Sequence, residues 1–310
     1  MGYRIGSFNC LHFFNEGSKK DIGMLCDIIL NEKFDVVALQ EVRDRALKVL
    51  LSRLRCFNPD WNGIADQTPH QDSYPDYAFI WNEKRICLAN TEVDGRTKVY
   101  KPRIYNQYKV DKTENQIKLI RNPYYARFFP VGLNAPFIEI RLINAHIRFS
   151  KGTQNDYLNI GATRMRQNEF NILSKAIYPK EADKRYGNNR PAYTILLGDY
   201  NLNTPSSGAG SPYVIEAFDI IDGKSVKRIV TKQDKLTTLK VVDDTNQEQS
   251  EIFANNYDHF TYDEERFGDI TLSCDRINTV EKYCGNDYEK HVKEVSDHVP
   301  VIMDINFKKG

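Results

Sequence analysis

Several features are scarce in this chain, and each scarcity removes a class of protein. Cysteine is one: the six among 310 residues stand at positions 10, 26, 56, 87, 274 and 284, with no Cys-x-x-Cys pair. Zinc-knuckle and thioredoxin-like readings fall away, which leaves scattered reduced thiols, mostly in the core. No apolar run reaches about 18 residues, so neither a membrane span nor a membrane partner is expected. The strand pattern starts at Tyr3, which leaves no room for a secretory leader, and a cytoplasmic location is the expectation. Glycine cradles for phosphate are missing too. No Gly-x-x-x-x-Gly-Lys-Ser/Thr loop exists, and Ser207-Gly208-Ala209-Gly210 lacks the third glycine of a dinucleotide loop. Nor is one sign of charge in excess: 43 Lys and Arg against 42 Asp and Glu leave a net charge of +1.

What is present is globular. A hydrophobic content of 41%, with 12% aromatic residues, is enough for a sizeable core. No internal repeat and no low-complexity linker divides residues 1–310, which read as one α/β domain. Charge is distributed unevenly: residues 96–128 hold nine Lys and Arg against two acids, and residues 243–294 hold fourteen acids against five bases. A basic stretch lets a neutral protein meet a polyanion, because the local field matters more than the total. The competing reading is a solvated loop whose tyrosines (Tyr100, Tyr105, Tyr108, Tyr124 and Tyr125) are packing residues.

Short β-branched or aromatic runs bounded by turn residues predict strands at 3–9, 35–40, 77–81, 127–131, 137–145, 193–197, 257–262 and 299–305. Helices fall between them. Ser18 and Asp21 form a capping-box pattern ahead of Ile22, Leu25 and Ile29. Leu47, Leu50, Leu51 and Leu54 make a second apolar stripe, and a third helix is expected over 161–177 with Phe170, Leu173 and Ile177 inward.

Polar residues cluster where apolar runs end, the position from which strands commonly present functional side chains. Gln40-Glu41-Val42-Arg43-Asp44 follows Phe34-Asp35-Val36-Val37-Ala38-Leu39, and Asn9, His146, Asp199 with Asn201, and Asp297 with His298 repeat the pattern. Asn9, Glu41, Asp199, Asn201 and Asp297 are oxygen donors, and such a set without cysteine suits Mg²⁺, Mn²⁺ or Ca²⁺ rather than zinc. His146 and His298 add proton-transfer groups, and Asp258 opens a strand where it could fix an imidazole tautomer. Oxygen donors, a base and an imidazole acid are the requirements of phosphoester hydrolysis. Each residue also has a plain structural reading: Glu41 as a helix-start carboxylate, Asp199 as turn chemistry, Asp297-His298 as a cap before the last strand. Five independent turns choosing this set by chance is the weaker explanation.

The motifs Phe8-Asn9-Cys10, Gln40-Glu41-Val42-Arg43-Asp44, Arg121-Asn122-Pro123, Asn144-Ala145-His146, Gly198-Asp199-Tyr200-Asn201, Tyr257-Asp258-His259 and Ser296-Asp297-His298 together resemble the endonuclease/exonuclease/phosphatase superfamily, and within it deoxyribonuclease I. The resemblance implies a four-layer α/β sandwich, with two central, mostly antiparallel sheets flanked by helices and a site at one rim. It implies that Asn9, Glu41 and Asp297 hold a divalent metal, with Mg²⁺ the first choice. Asp199 would orient or deprotonate water beside Asn201, His146 would contact phosphate or protonate the leaving oxygen, and Asp258 would pair with His298. Arg43 and Arg121 match arginines that grip the nucleic-acid backbone, a contact that carries no sequence information. Asp76 stands near the place of a glutamate that orients the first histidine. Segments 96–120 and 205–256 have no clear counterpart in the family.

The leading expectation is therefore a metal-dependent nuclease with DNA as its partner and little sequence preference. The alternative enzyme is a phosphatase or phosphodiesterase acting on inositol phosphates or phospholipid head groups. Leu202 after Gly-Asp-x-Asn, and Tyr257-Asp258-His259 in place of a Trp-x-Asp-Arg-like strand, argue against it. A catalytically silent binding module is disfavoured because Glu41, His146, Asp199, Asn201, Asp258 and His298 are all retained.

Overall fold

The computed structural model describes residues 2–15, 19–67, 76–110, 118–149, 161–187, 189–222, 225–240, 252–268 and 270–307. Two sheets dominate them. The first has six strands in the order Ile270–Arg276, Val301–Phe307, Gly2–Phe13, Val36–Val42, Tyr77–Asn82 and Trp61–Ala65. The second runs Ala217–Asp222, Ser225–Lys232, Asp258–Asp263, Ala192–Asp199, Glu139–His146, Tyr124–Pro130 and Ile86–Leu88, with Arg103–Ile104 also pairing Tyr124–Pro130. Pairing is mostly antiparallel. Only Gly2–Phe13 with Val36–Val42, and Glu139–His146 with Ala192–Asp199, run parallel among the described strands.

The sheets face one another, and helices cover both outer faces. Alternation along single strands makes this visible. Val36 and Ala38 enter the core between the sheets, whereas Val37 and Leu39 meet Leu25, Ile28, Leu47 and Leu50 of the helices Ile22–Asn31 and Asp44–Phe57. In the second sheet Ile195 and Leu197 turn inward, and Leu196 turns toward Phe170, Leu173 and Ile177. Burial on both faces explains why these strands read as unbroken apolar runs. The result is the four-layer sandwich expected from the sequence.

Several boundaries differ from expectation. The first strand continues through Phe13, interrupted by an irregularity after Asn9 at which Leu11 and His12 take positive φ values of 41° and 52°. Asp21 caps the first helix by accepting the Met24 N–H at 2.9 Å, while Ser18 lies outside the described residues. The third helix is α-helical only over Ala162–Asn171. It then widens into a π-helical turn, Ile172–Ile177, before Tyr178–Asp183, where Pro179 has no N–H for the next α-type bond. Among the described residues no helix is long and apolar enough to cross a membrane. All six cysteines are free, with Cys10, Cys26 and Cys284 buried.

Candidate active site

Strand direction gathers the polar residues at one rim. In the second sheet three neighbouring strands place His146 opposite Asp199, and Asp199 opposite Asp258. In the first sheet Asn9 stands opposite Gln40, one residue before Glu41. Bonds across the sandwich tie the two edges together. Gln40 Nε2 donates to Asn144 Oδ1 at 2.7 Å, and Asn9 Nδ2 donates to Asp199 Oδ2 at 3.1 Å. Ser296 Oγ donates to the Asn9 carbonyl at 2.6 Å, which anchors the Ser296-Asp297-His298 turn to the same edge.

The local backbone is shaped for this arrangement. Gly198 has φ of +140°, and a Cβ there would lie 1.8 Å from the Ala145 carbonyl oxygen, so only glycine lets the two parallel strands close beside Asp199. Glu41 itself has φ of +59°, a conformation costing a non-glycine residue about 1–3 kcal/mol. It is the end of a strand, not the start of a helix; the helix begins at Asp44. Asn201 adopts φ of +50°, which asparagine tolerates, and its Nδ2 donates to the Ile147 carbonyl at 2.8 Å.

Asp199 is the hub. Its Oδ1 accepts the Asn201 N–H at 2.9 Å, and its Oδ2 lies 3.6 Å from His146 Nε2 and 3.8 Å from His298 Nε2. Burial pushes its pKa up to about 7; the His298 charge pulls it down, and Asp258 pushes it up. The two histidines are driven apart. Burial, then the charge of Arg121, holds His146 well below the ordinary imidazole value, and Arg121 Nη1 sits 3.0 Å from its Nε2. Since a guanidinium can only donate, that ring nitrogen accepts and His146 is neutral. Burial also opposes charge on His298, but Asp258, Asp199 and Asp297 outweigh it and hold the pKa well above the ordinary value. His298 Nδ1 donates to Asp258 Oδ2 at 2.8 Å, and Thr237 Oγ1 donates to the same oxygen at 2.7 Å. Asp258 Oδ1 is buried without a partner in the described structure. The cluster thus holds a charged imidazole able to give a proton beside a carboxylate poised to take one.

No protein-family model matches the sequence, and no curated protein matches it. Solved structures do. TDP2 from D. rerio, in complex with a single strand DNA product, has a TM-score of 0.54 at 14% identity, with 98% of this chain and 99% of that one covered. An endonuclease/exonuclease/phosphatase from Bacteroides vulgatus has a TM-score of 0.54 at 11% identity over 99% and 100% of the two chains. TDP2 from C. elegans has a TM-score of 0.52 at 13% identity over 99% and 75%. The fold is the endonuclease/exonuclease/phosphatase fold.

On that fold, all eleven residues singled out in the sequence fall at or beside one rim. His146, Asp199, Asn201, Asp258 and His298 form the buried cluster with Asn9. Glu41 lies at its edge, with Oε1 3.9 Å from His146 Nε2 and Oε2 accepting the His12 N–H at 2.8 Å. Asp297 is half-exposed, 3.9 Å from His298 Nε2. Asp76 is buried and accepts the Arg43 Nε–H at 3.0 Å; the Arg43 guanidinium also lies 4.1 Å over the Phe14 ring, so Asp76 orients an arginine.

Among the described residues no three His, Cys, Asp or Glu side chains converge as a complete metal cage. The donor set nevertheless fits a hard divalent cation. Glu41 and Asp297 are two carboxylates that retain solvent access, Asn9 is a neutral oxygen donor beside them, and Mg²⁺ is usually held by one or two carboxylates with waters and substrate oxygens completing the shell.

Sequence reasoning missed the residues that brace this rim. Tyr77 Oη accepts the His146 N–H at 2.8 Å. Thr237, from the segment without a family counterpart, reaches Asp258, and Leu239 of the same segment donates its N–H to the Asp297 carbonyl at 2.7 Å. Glu169 accepts the Ile120 N–H at 2.6 Å and the Arg148 N–H at 3.4 Å, which joins the segments on either side of His146 and Arg121. Burial pushes its pKa up to about 7, against those N–H groups and the charges of Arg121 and Arg148. Glu169 lies on a helix at an ordinary inward position, so only the tertiary structure reveals it.

Proposed function

We propose that the chain is a divalent-metal-dependent nuclease that hydrolyses phosphodiester bonds in DNA with little sequence preference. The observation that carries this reading is the buried His146–Asp199–His298 triangle, tied to Asp258 and bordered by the oxygen donors Asn9, Glu41 and Asp297. The neighbouring fold of TDP2, whose structure holds a single strand DNA product, supports DNA as the substrate. Two arginines support it further, since Arg121, beside His146, and Arg43, oriented by Asp76, stand at the same rim and phosphate contacts dominate nucleic-acid affinity.

In this reading Asp199 accepts the proton of the attacking water, aided by a pKa raised toward neutrality. The water oxygen bonds to phosphorus as the bond to the leaving oxygen breaks. His298, kept protonated by Asp258, stabilises the charge that collects on the phosphoryl oxygens and gives its proton to the leaving oxygen. His146 stays neutral and positions the phosphate together with Arg121. Asn9, Glu41 and Asp297 would hold a divalent ion, most simply Mg²⁺, which would add positive charge beside the phosphoryl group. A cytoplasmic setting belongs to the same proposal and is supported by six free thiols.

The test is incubation of the purified protein with supercoiled plasmid and with single-stranded DNA in Mg²⁺, Mn²⁺, Ca²⁺ or EDTA, beside a Glu41→Gln variant. Metal-dependent cleavage that the variant loses is the expected result. Intact nucleic acid under every metal, with phosphate released from inositol phosphates or phospholipid head groups, overturns it.

A further inference from the structure

A second concavity lies away from the rim, on the outer side of the second sheet. It encloses about 310 Å³ and is lined mainly by three tyrosines, Tyr100, Tyr125 and Tyr186, and three cations, Lys101, Arg103 and Arg127. The sequence explains its construction. The hairpin of Asn90–Val93 and Arg96–Val99 delivers Tyr100, whose N–H donates to the Ala89 carbonyl at 2.8 Å. The chain then returns to pair Arg103 with Tyr125 at the edge of Tyr124–Pro130. Arg127 forms the base of the pocket. Its guanidinium lies 3.5 Å from the Tyr186 ring centroid and 5.1 Å from that of Tyr100, so both rings border one fixed cation.

The nearby carboxylates among the described residues are already engaged. Glu139 accepts from Arg127 Nε at 2.7 Å, from Arg127 Nη2 at 3.0 Å and from Arg141 Nε at 2.7 Å. Glu181 accepts the Tyr186 hydroxyl at 2.7 Å and lies 3.4 Å from Lys184 Nζ. The lining itself contains no acid. Lys101 and Arg103 are exposed and form no ion pair among the described residues. A pocket with aromatic walls, positive charge and exposed cations at its mouth suits a flat ring that carries an anion.

We propose that this pocket binds one nucleotide unit, with the base against Tyr100 and Tyr186 and the phosphate between Lys101 and Arg103. Its volume is at the small end of ligand pockets, enough for a single nucleotide and too little for a duplex. A base that stacks there must be unpaired, which points to single-stranded nucleic acid. This inference rests on the nuclease reading only for the source of the nucleotide. Arg127 follows Arg121 by six residues, so their Cα atoms are at most about 20 Å apart even along a fully extended chain. A strand held in the pocket could therefore reach the rim within a few nucleotides, so the pocket would retain a substrate beyond the bond being cut.

The test is calorimetry on the Glu41→Gln protein in EDTA with dAMP, inorganic phosphate and a single strand of about ten nucleotides, repeated in Lys101→Ala/Arg103→Ala and in Tyr100→Ala backgrounds. We expect dAMP to bind more tightly than phosphate, and each variant to weaken dAMP and the strand by at least about fivefold, the lower end for one stacked base. Loss of dAMP binding with strand binding intact supports the nucleotide site and assigns it to free nucleotides. Phosphate binding as strong as dAMP binding, or variants that bind dAMP like the parent, overturns the proposal. Absence of cleavage by the wild-type protein under any metal would sink the nuclease reading while leaving these binding results to stand.

Discussion

The two ends of one strand, Glu139–His146, use buried charge in opposite ways. At its start Glu139 is fully buried between Arg127 and Arg141, and each of its oxygens accepts from a guanidinium. At its end His146 enters a cluster in which Asp258 Oδ1 has no partner in the described structure and Asp199 is pushed toward a neutral pH pKa. Both ends sit in the same sheet with similar burial. The first satisfies every acceptor and so contributes a fixed shape. The second leaves acceptors and protons in competition, and perturbed groups of this kind mark sites where protons move. Burial alone therefore does not identify a site; incomplete pairing among several groups of perturbed protonation does.

Removing one member at each end should separate the two roles. His298→Ala should fold normally and lose about a hundredfold to ten-thousandfold in rate, the range of a proton-transfer group. Plasmid cleavage measured beside a urea melt checks both halves, and near-native cleavage would remove His298 from the site. Glu139→Ala should do the reverse. It strands two buried arginines and should cost about 3–5 kcal/mol of stability. Hydrolysis of bis(p-nitrophenyl) phosphate per folded molecule should stay within assay error. If Glu139→Ala instead kept its stability and lost its chemistry, the contrast between the two ends would fail.

Glu169 offers a finer test, because it resembles Glu139 in burial and the rim in its perturbed pKa. Its folded pKa is about 7 against an ordinary value of 4.5. A carboxyl whose pKa is raised by folding holds its proton more tightly in the native state. The stability it contributes is complete below pH 4.5 and is lost as pH rises through about 7. Compared with Glu169→Gln, the wild-type protein in EDTA should therefore lose on the order of 3 kcal/mol of relative stability across that window. Parallel pH profiles for the two proteins would show that the carboxyl does not titrate there.

Much of this was legible in the sequence for a physical reason. Val36 to Leu39 and Ile195 to Leu197 are buried on both faces, so their apolar runs are continuous and the polar residues that follow stand out. The residues at strand ends, from Asn9 to His298, could be read because strand direction alone carries them to one edge. Other elements were hidden. Trp61–Ala65 is short and contains Gly63, and Ile270–Arg276 is a half-exposed edge strand with mixed polarity, so neither has a clear alternation. Thr237 and Glu169 act through contacts made across 21 and 49 residues of chain, which no local pattern encodes. The basic stretch also divided: Arg121 went to the rim, while Arg127, held in a buried ion pair, joined Lys101 and Arg103 around a separate pocket.

Arg121 gives the smallest and most discriminating effect, since it connects phosphate binding to the neutrality of His146. Arg121→Ala should raise KM for DNA about tenfold, the worth of one charge-assisted hydrogen bond. The salt dependence of binding should fall by about one phosphate contact. The same substitution removes a charge that holds the His146 pKa down, so that pKa should rise toward the ordinary imidazole value. At neutral pH more of the ring would then be protonated, and the acid limb of the rate profile should move to higher pH. Imidazole NMR titration of His146 in the variant reads this directly. A KM that rises without any change in salt dependence would mean that Arg121 shapes the rim through His146 alone and does not touch the nucleic-acid backbone.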